Sequence, residues 1–157
     1  MAGFSHINEH GLPTMVDVGE KPVSQRIAVA RSIVELPPAV YERLTGNDIV
    51  TKKGSVFQTA IIAGIMAAKK TGELIPLCHP LGLDNCSINI QINDNNLMID
   101  CTAGITSKTG VEMEALVGAT IAALTVYDMC KSLSHDIIIK ETKLMEKSGG
   151  LHEYKRT

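Results

Sequence analysis

Tryptophan is absent from the 157 residues, and only three Tyr and two Phe are present. So few π-faces leave no stacking platform for unpaired bases. An excess of one charge is lacking too: 15 Lys and Arg against 17 Asp and Glu give a formal net charge of −2 and a pI near 6.2. Bulk charge therefore cannot hold the chain to nucleic acid or to an anionic membrane surface. The uncharged stretch from Ala115 to Tyr127 falls short of the roughly 20 apolar residues that span a bilayer. Met1-Ala2-Gly3-Phe4-Ser5-His6 has neither a basic nor an apolar region of the secretory kind, so no signal peptide is expected. The four cysteines, Cys78, Cys86, Cys101 and Cys130, include no CxxC pair. Reduced thiols in a cytoplasmic protein are expected from that spacing.

What remains is a globular composition. Hydrophobic residues make up 45% and charged residues 20%, which excludes disorder as the dominant state. A single domain over residues 1–157 accounts for the length, and it can bury about 70% of its unfolded surface without a staple. With few aromatics the core must be aliphatic and filled by methionine. Residues 1–14 are polar and aperiodic and residues 148–157 carry Gly149-Gly150, so both ends are expected to be flexible.

Alternation from Val23 to Leu36 predicts a first strand, stopped by Pro37-Pro38. Ala39–Leu44 allows one or two helical turns. Ser55-Val56-Phe57-Gln58 has the form of a capping box and opens an apolar helix that Gly72 is expected to close. Cys86, Ile88, Ile90 and Ile92 keep strict period two, Asn93–Asn96 makes a turn, and Leu97, Ile99, Cys101, Ala103 and Ile105 repeat the period. That is a hairpin with one apolar face, and Cys86 and Cys101 belong to it. Thr109-Gly110-Val111-Glu112 resembles a second capping box, ahead of a helix to about Lys131, and Ile137–Met145 reads as a last strand. Strand, helix, strand, strand, helix, strand is the α+β, ferredoxin-like βαββαβ layout, an antiparallel sheet with two long helices on one face.

Several residues could carry chemistry, each with a plainer alternative. Lys52-Lys53-Gly54 precede the first helix; a solvated loop explains them, and so does an anion docked at the helix start. Cys78-His79 lie in a loop, where a thiol is usually a small hydrophobe and a histidine usually structural. No spacing supplies the three or four convergent ligands of a zinc site. Glu112 and Glu114 suit a helix N-terminus with no further role. Lys108-Thr109-Gly110 is like a phosphate-cradling turn without the long Gly-rich loop of a Walker motif. Asp128 sits where a helix end disfavours acids, three residues from Lys131, so the two share a face. They are either an ion pair or an acid and a lysine that tune each other's proton affinity.

Taken together, six segments closely resemble the cyclic pyranopterin monophosphate synthase family of molybdenum cofactor biosynthesis. They are Met15-Val16-Asp17-Val18, Lys53-Gly54, Ile75-Pro76-Leu77-Cys78-His79-Pro80-Leu81, Lys108-Thr109-Gly110-Val111-Glu112-Met113-Glu114-Ala115-Leu116, Tyr127-Asp128-Met129-Cys130-Lys131 and Lys147-Ser148-Gly149-Gly150. The resemblance implies a ferredoxin-like fold and a lyase that turns a cyclised dihydro-GTP into cyclic pyranopterin monophosphate, releasing pyrophosphate. It implies a homohexamer, a trimer of dimers, with the active site at the dimer interface and no cofactor. By motif match Leu77, Cys78, His79, Met113 and Glu114 bind substrate, with Glu112 as a further participant. Asp128, Lys53 and Lys131 match the catalytic positions. Lys21 is another substrate-binding candidate, although Gly19-Glu20 ahead of it departs from the family pattern.

That chemistry suits the inventory. Expelling pyrophosphate needs cations to stabilise developing negative charge, and rebuilding a purine-derived ring needs proton transfers. The competing class is a non-catalytic nucleotide-sensing module on the same fold, in which Asp128 and Lys131 are only a structural pair.

Overall fold

A computed structural model describes residues 3–157. Strand β1 (Ser24–Glu35) buries its even-numbered residues Ala28, Ala30, Ser32 and Val34, while the odd-numbered ones lie on the other face. Pro37 and Pro38 end it, and one helical turn follows, α1 (Pro38–Tyr41). The chain then makes a small three-stranded sheet that the sequence pattern did not reveal: β2 (Leu44–Thr45), β3 (Asp48–Thr51) and β4 (Gly54–Ser55). Helix α2 (Val56–Ala68) starts as its capping residue requires, with the Ser55 hydroxyl accepting from the Gln58 N–H.

Gly72 does not close α2. The helix ends at Ala68, and Gly72 falls inside a separate turn, α3 (Thr71–Leu74), which leads into the Cys78-His79 loop. A Cβ at Gly72 would stand 3.0 Å from Pro80 Cα, so glycine is what lets that loop lie against α3.

Strands β5 (Asn85–Asn93) and β6 (Asn96–Ser107) form the expected hairpin, with Ile88 opposite Cys101 and Ile90 opposite Ile99. Helix α4 (Glu112–Cys130) follows, then β7 (Ile138–Ser148). The second capping box does not form: α4 begins at Glu112 after Val111, with no side-chain cap, so Glu112 stands at the first helical position, where its carboxylate accepts from Lys147. The segment after Ser148 returns as β8 (Tyr154–Lys155), paired with β7. At the other end, residues 1 and 2 of the expected leader lie outside the described residues. Residues 3–14 make a turn in which the Asn8 side chain accepts from the His10 and Leu12 N–H groups.

The large sheet runs β5-β6-β1-β7-β8 with every neighbour antiparallel. Its four long strands have the order of a ferredoxin-like sheet, and α2 and α4 cover one face. Leu97, Ile99, Cys101, Val34 and Val126 form the dry layer between them. Helix α4 is long and apolar enough by composition to cross a membrane. Half of it is buried, however, with Ala115, Ala119, Ala122 and Val126 against α2 and the sheet, as in a core helix.

The two helices meet along a seam of small residues: Ala60, Gly64 and Ala68 against Ala115, Gly118 and Ala122. A Cβ at Gly64 would lie 2.7 Å from the Gly118 carbonyl oxygen and 3.1 Å from Ala122 Cβ. In a free helix Gly64→Ala would gain up to about 1 kcal/mol of propensity. Overpacking against a backbone carbonyl that cannot rotate away costs about 1–3 kcal/mol. Overpacking wins, so the substitution should lower the urea midpoint at unchanged m-value. A raised midpoint would mean that the helices can part without cost.

Candidate active site

Because α2 and α4 run antiparallel, the start of one lies beside the end of the other. Two groups of functional side chains result, one at each end of the helix pair. Along α4, Glu112 and Asp128 are 16 positions apart, roughly 24 Å at 1.5 Å per residue.

At the first end, the turn of the β3–β4 hairpin carries Lys52 and Lys53 to the last turn of α4. Lys53 Nζ is 3.8 Å from Asp128 Oδ2, and Lys131 Nζ donates to Asp128 Oδ1 at 2.6 Å. All three side chains are half-exposed. The hydrogen bond from Lys131, then its charge and that of Lys53, hold the Asp128 carboxyl below its ordinary range. The same bond pushes Lys131 up. Asp128 and Lys131 therefore hold each other in their charged forms, with the Lys53 side chain beside them. Beside it a cavity of about 550 Å³ has a floor of Ile49, Met129 and Leu133 and a rim of Arg43, Lys52 and Lys53.

At the other end, the loop after α3 brings Cys78, His79 and Leu81 against Glu112, Met113 and Glu114, around a cavity of about 290 Å³. Leu77, half-buried, precedes this group and does not line the cavity. His79 Nε2 lies 2.7 Å from the Val16 carbonyl oxygen. A carbonyl can only accept, so Nε2 carries a proton. The segment around Val16 thus orients the imidazole. Glu114 is only 4% exposed. Burial raises its pKa; a backbone N–H and His79 oppose the shift, and Glu112 adds to it. Burial, followed by the Glu114 charge, also raises the Cys78 thiol, which is the reverse of an activated nucleophile.

A larger cavity, about 580 Å³, adjoins this one and shares Thr109, Gly110 and Glu112 with it. Its walls carry Lys21, Arg26, Lys108 and Lys147. Lys147 donates to Glu112 Oε1 at 3.0 Å, and Lys108 Nζ donates to the Gly19 carbonyl at 2.6 Å, pinning the segment that bears Lys21. Arg26 Nη2 donates to the Lys108 carbonyl at 3.3 Å, whereas its Nε is buried without a partner. A buried donor left unsatisfied costs about 1–3 kcal/mol.

Arg26 was not singled out from the sequence. The signal was there: it has the parity of Ala28, Ala30 and Ser32, the face of β1 that the helices cover. An arginine in register with buried small residues must project past the edge of the helix layer. Lys147 had been noticed only within its motif, and its pairing with Glu112 spans 35 residues. Among the described residues, no three His, Cys, Asp or Glu are grouped to hold a metal ion.

The MoaC family model matches residues 15–150. A cyclic pyranopterin monophosphate synthase of Xanthomonas campestris pv. campestris is 52% identical over 150 residues, 95% of this chain and 91% of that protein. A molybdenum cofactor biosynthesis bifunctional protein of Synechocystis sp. is 50% identical over 98% of this chain. Molybdenum cofactor biosynthesis protein 1 of Dictyostelium discoideum is 50% identical over 94% of it. The chain spans only 46% and 26% of the lengths of these two larger relatives.

Proposed function

The chain belongs to the MoaC family, and we propose on that premise that it is a cyclic pyranopterin monophosphate synthase of molybdenum cofactor biosynthesis. Its substrate is a cyclised dihydro-GTP, and its products are cyclic pyranopterin monophosphate and pyrophosphate. The observation that carries this reading is the cavity walled by the four cationic side chains of Lys21, Arg26, Lys108 and Lys147. Four cations around one cavity suit an oligophosphate, and arginine suits it best through its planar fork.

The chemistry divides between the two ends. When a ribose hydroxyl oxygen attacks the inner phosphorus, the bond to the bridging oxygen of pyrophosphate breaks and negative charge grows on the leaving group. Cationic lysines stabilise that charge, and Asp128 holds Lys53 and Lys131 close to each other and keeps Lys131 charged. Proton delivery to the purine-derived ring suits Glu114, whose burial favours its neutral form. His79, oriented by the Val16 carbonyl, presents its Nδ1 edge beside Glu114. Two carboxyls with proton affinities pushed in opposite directions are what proton transfer in both senses requires. Cys78 and Met113 shape the apolar wall for the ring, Leu77 supports their loop from outside the cavity, and Glu112 holds Lys147.

One small substrate cannot reach across the length of α4. A composite site, with Lys53, Asp128 and Lys131 from one subunit and His79, Glu112 and Glu114 from its neighbour, resolves this within a homohexamer built from two-fold dimers. Exposed Ile62, Met66 and Leu124 on the outer faces of α2 and α4 are in keeping with such burial. Four free cysteines fit a cytoplasmic enzyme.

The test is incubation with the cyclised dihydro-GTP, followed by identification of the product and assay of pyrophosphate. One pyrophosphate per cyclic monophosphate is expected. Tight binding with no turnover would overturn the enzyme in favour of a nucleotide sensor.

A further inference from the structure

Lys53 sits at the tip of a hairpin whose strands are four and two residues long. Pairs of that length do not hold their own geometry in water. The tip itself offers little: Lys53 N–H donates to Thr51 Oγ1 at 3.1 Å, the Lys53 side chain is 63% exposed, and its ammonium reaches Asp128 only at 3.8 Å. The base of the hairpin is different. Ile49 is fully buried and anchors it. Next to Ile49, Asp48 Oδ1 accepts from the Ile49 N–H at 2.6 Å and from the Phe57 N–H, in the first turn of α2, at 3.0 Å. Asp48 Oδ2 accepts from the Ser55 hydroxyl. That hydroxyl in turn accepts from the Gln58 N–H at 3.1 Å. Asp48 and Ser55 therefore form one shared cap that satisfies two orphan N–H groups of α2 and at the same time ties β3 to β4 and to the helix.

We infer that Asp48 is a positioning residue for the proposed reaction, setting through this shared cap where the hairpin presents Lys53 to Asp128 and Lys131. Ile49 supplies adhesion, but a buried isoleucine does not fix the angle at which the turn leaves the helix. Three directional hydrogen bonds to one carboxylate do. The carboxylate also lies near the last turn of α4: burial and then the Asp48 charge push the Cys130 thiol up to about 11. So the group that holds the hairpin stands between both elements whose relative placement brings Lys53 to Asp128.

The inference rests on the reading of Lys53 as a catalytic group, and a double-substitution cycle separates the two. Asp48→Ala should lower kcat at least 10-fold while KM changes less than 3-fold, with the chain still folded by circular dichroism. Asp48→Asn, which keeps Oδ1 as an acceptor for the Ile49 and Phe57 N–H groups, should recover a large part of the loss. In a Lys53→Ala background Asp48→Ala should cause no further fall in kcat, because the group it positions is gone. Full activity of Asp48→Ala beside an impaired Lys53→Ala overturns the inference and leaves the role of Lys53 intact. A fall of the same size in both backgrounds overturns it too, since the effect then does not pass through Lys53. If Asp48→Ala does not fold, Ser55→Ala, which removes the other half of the shared cap, carries the same comparison. A fall in kcat that vanishes in the Lys53→Ala background then supports the inference, and full activity or an equal fall in both backgrounds overturns it. Full activity of Lys53→Ala alone overturns the reading on which the inference stands.

Discussion

Asp128→Asn and Lys131→Ala should each lower kcat by about 10²-fold or more and leave thermal unfolding nearly where it was. The asymmetry follows from exposure. Asp128 and Lys131 are 56% and 49% exposed, and ion pairs in water add little to stability. In the reaction the same charges meet a developing anion in a site from which substrate has displaced water, where they count for far more. Asp128→Asn keeps the shape of the side chain but removes the charge that holds two ammoniums together. Lys53 and Lys131 should then repel each other and part. Steady-state pyrophosphate release and a melting curve decide the matter. Wild-type turnover with wild-type melting, in either variant, would remove the pair from the catalytic machinery.

Mixing two inactive variants should restore activity when their lesions lie at opposite ends of the helix pair. In a two-fold dimer with composite sites, a Lys53→Ala subunit joined to a His79→Ala subunit concentrates both lesions in one site and leaves the other whole. Random pairing then yields about a quarter of the wild-type rate. Lys53→Ala mixed with Asp128→Ala should stay inactive, since both lesions lie in the same half and every site receives one. Subunit exchange is verified by mass-tagging one variant before assay. Failure of the first mixture despite exchange, or revival of the second, would show that each subunit works alone.

The long elements were legible because their period is imposed by one buried face. Ile88, Ile90, Leu97, Ile99 and Cys101 point at the helices, and the alternation that put them there is visible in one dimension. The nearness of Lys53 to Asp128 was legible too, through the antiparallel helices of the βαββαβ order. The small β2–β4 sheet was not, since two-residue strands are too short to show a period. Nor was the start of α4: Thr109 and Glu112 have the spacing of a capping box, but the helix starts only at Glu112, whose carboxylate pairs with a lysine 35 residues on. The burial of Glu114 and the aim of Arg26 depend on what covers the sheet, which no local pattern encodes. Which side chains share one end of the helix pair was thus clearer from sequence than their protonation was, because proton affinity follows burial and neighbours rather than residue type.

The antiparallel helix pair also bears on how output depends on amount. On the composite-site reading, a chain on its own carries two half-sites and no complete one, and turnover per chain is therefore not a constant of the molecule. At concentrations where subunits stay paired, rate rises in proportion to protein. Below that range, dimers become rare by mass action and the rate falls with the square of concentration. A cell making few copies would have almost no activity, and one making many would have it all, with no regulator needed.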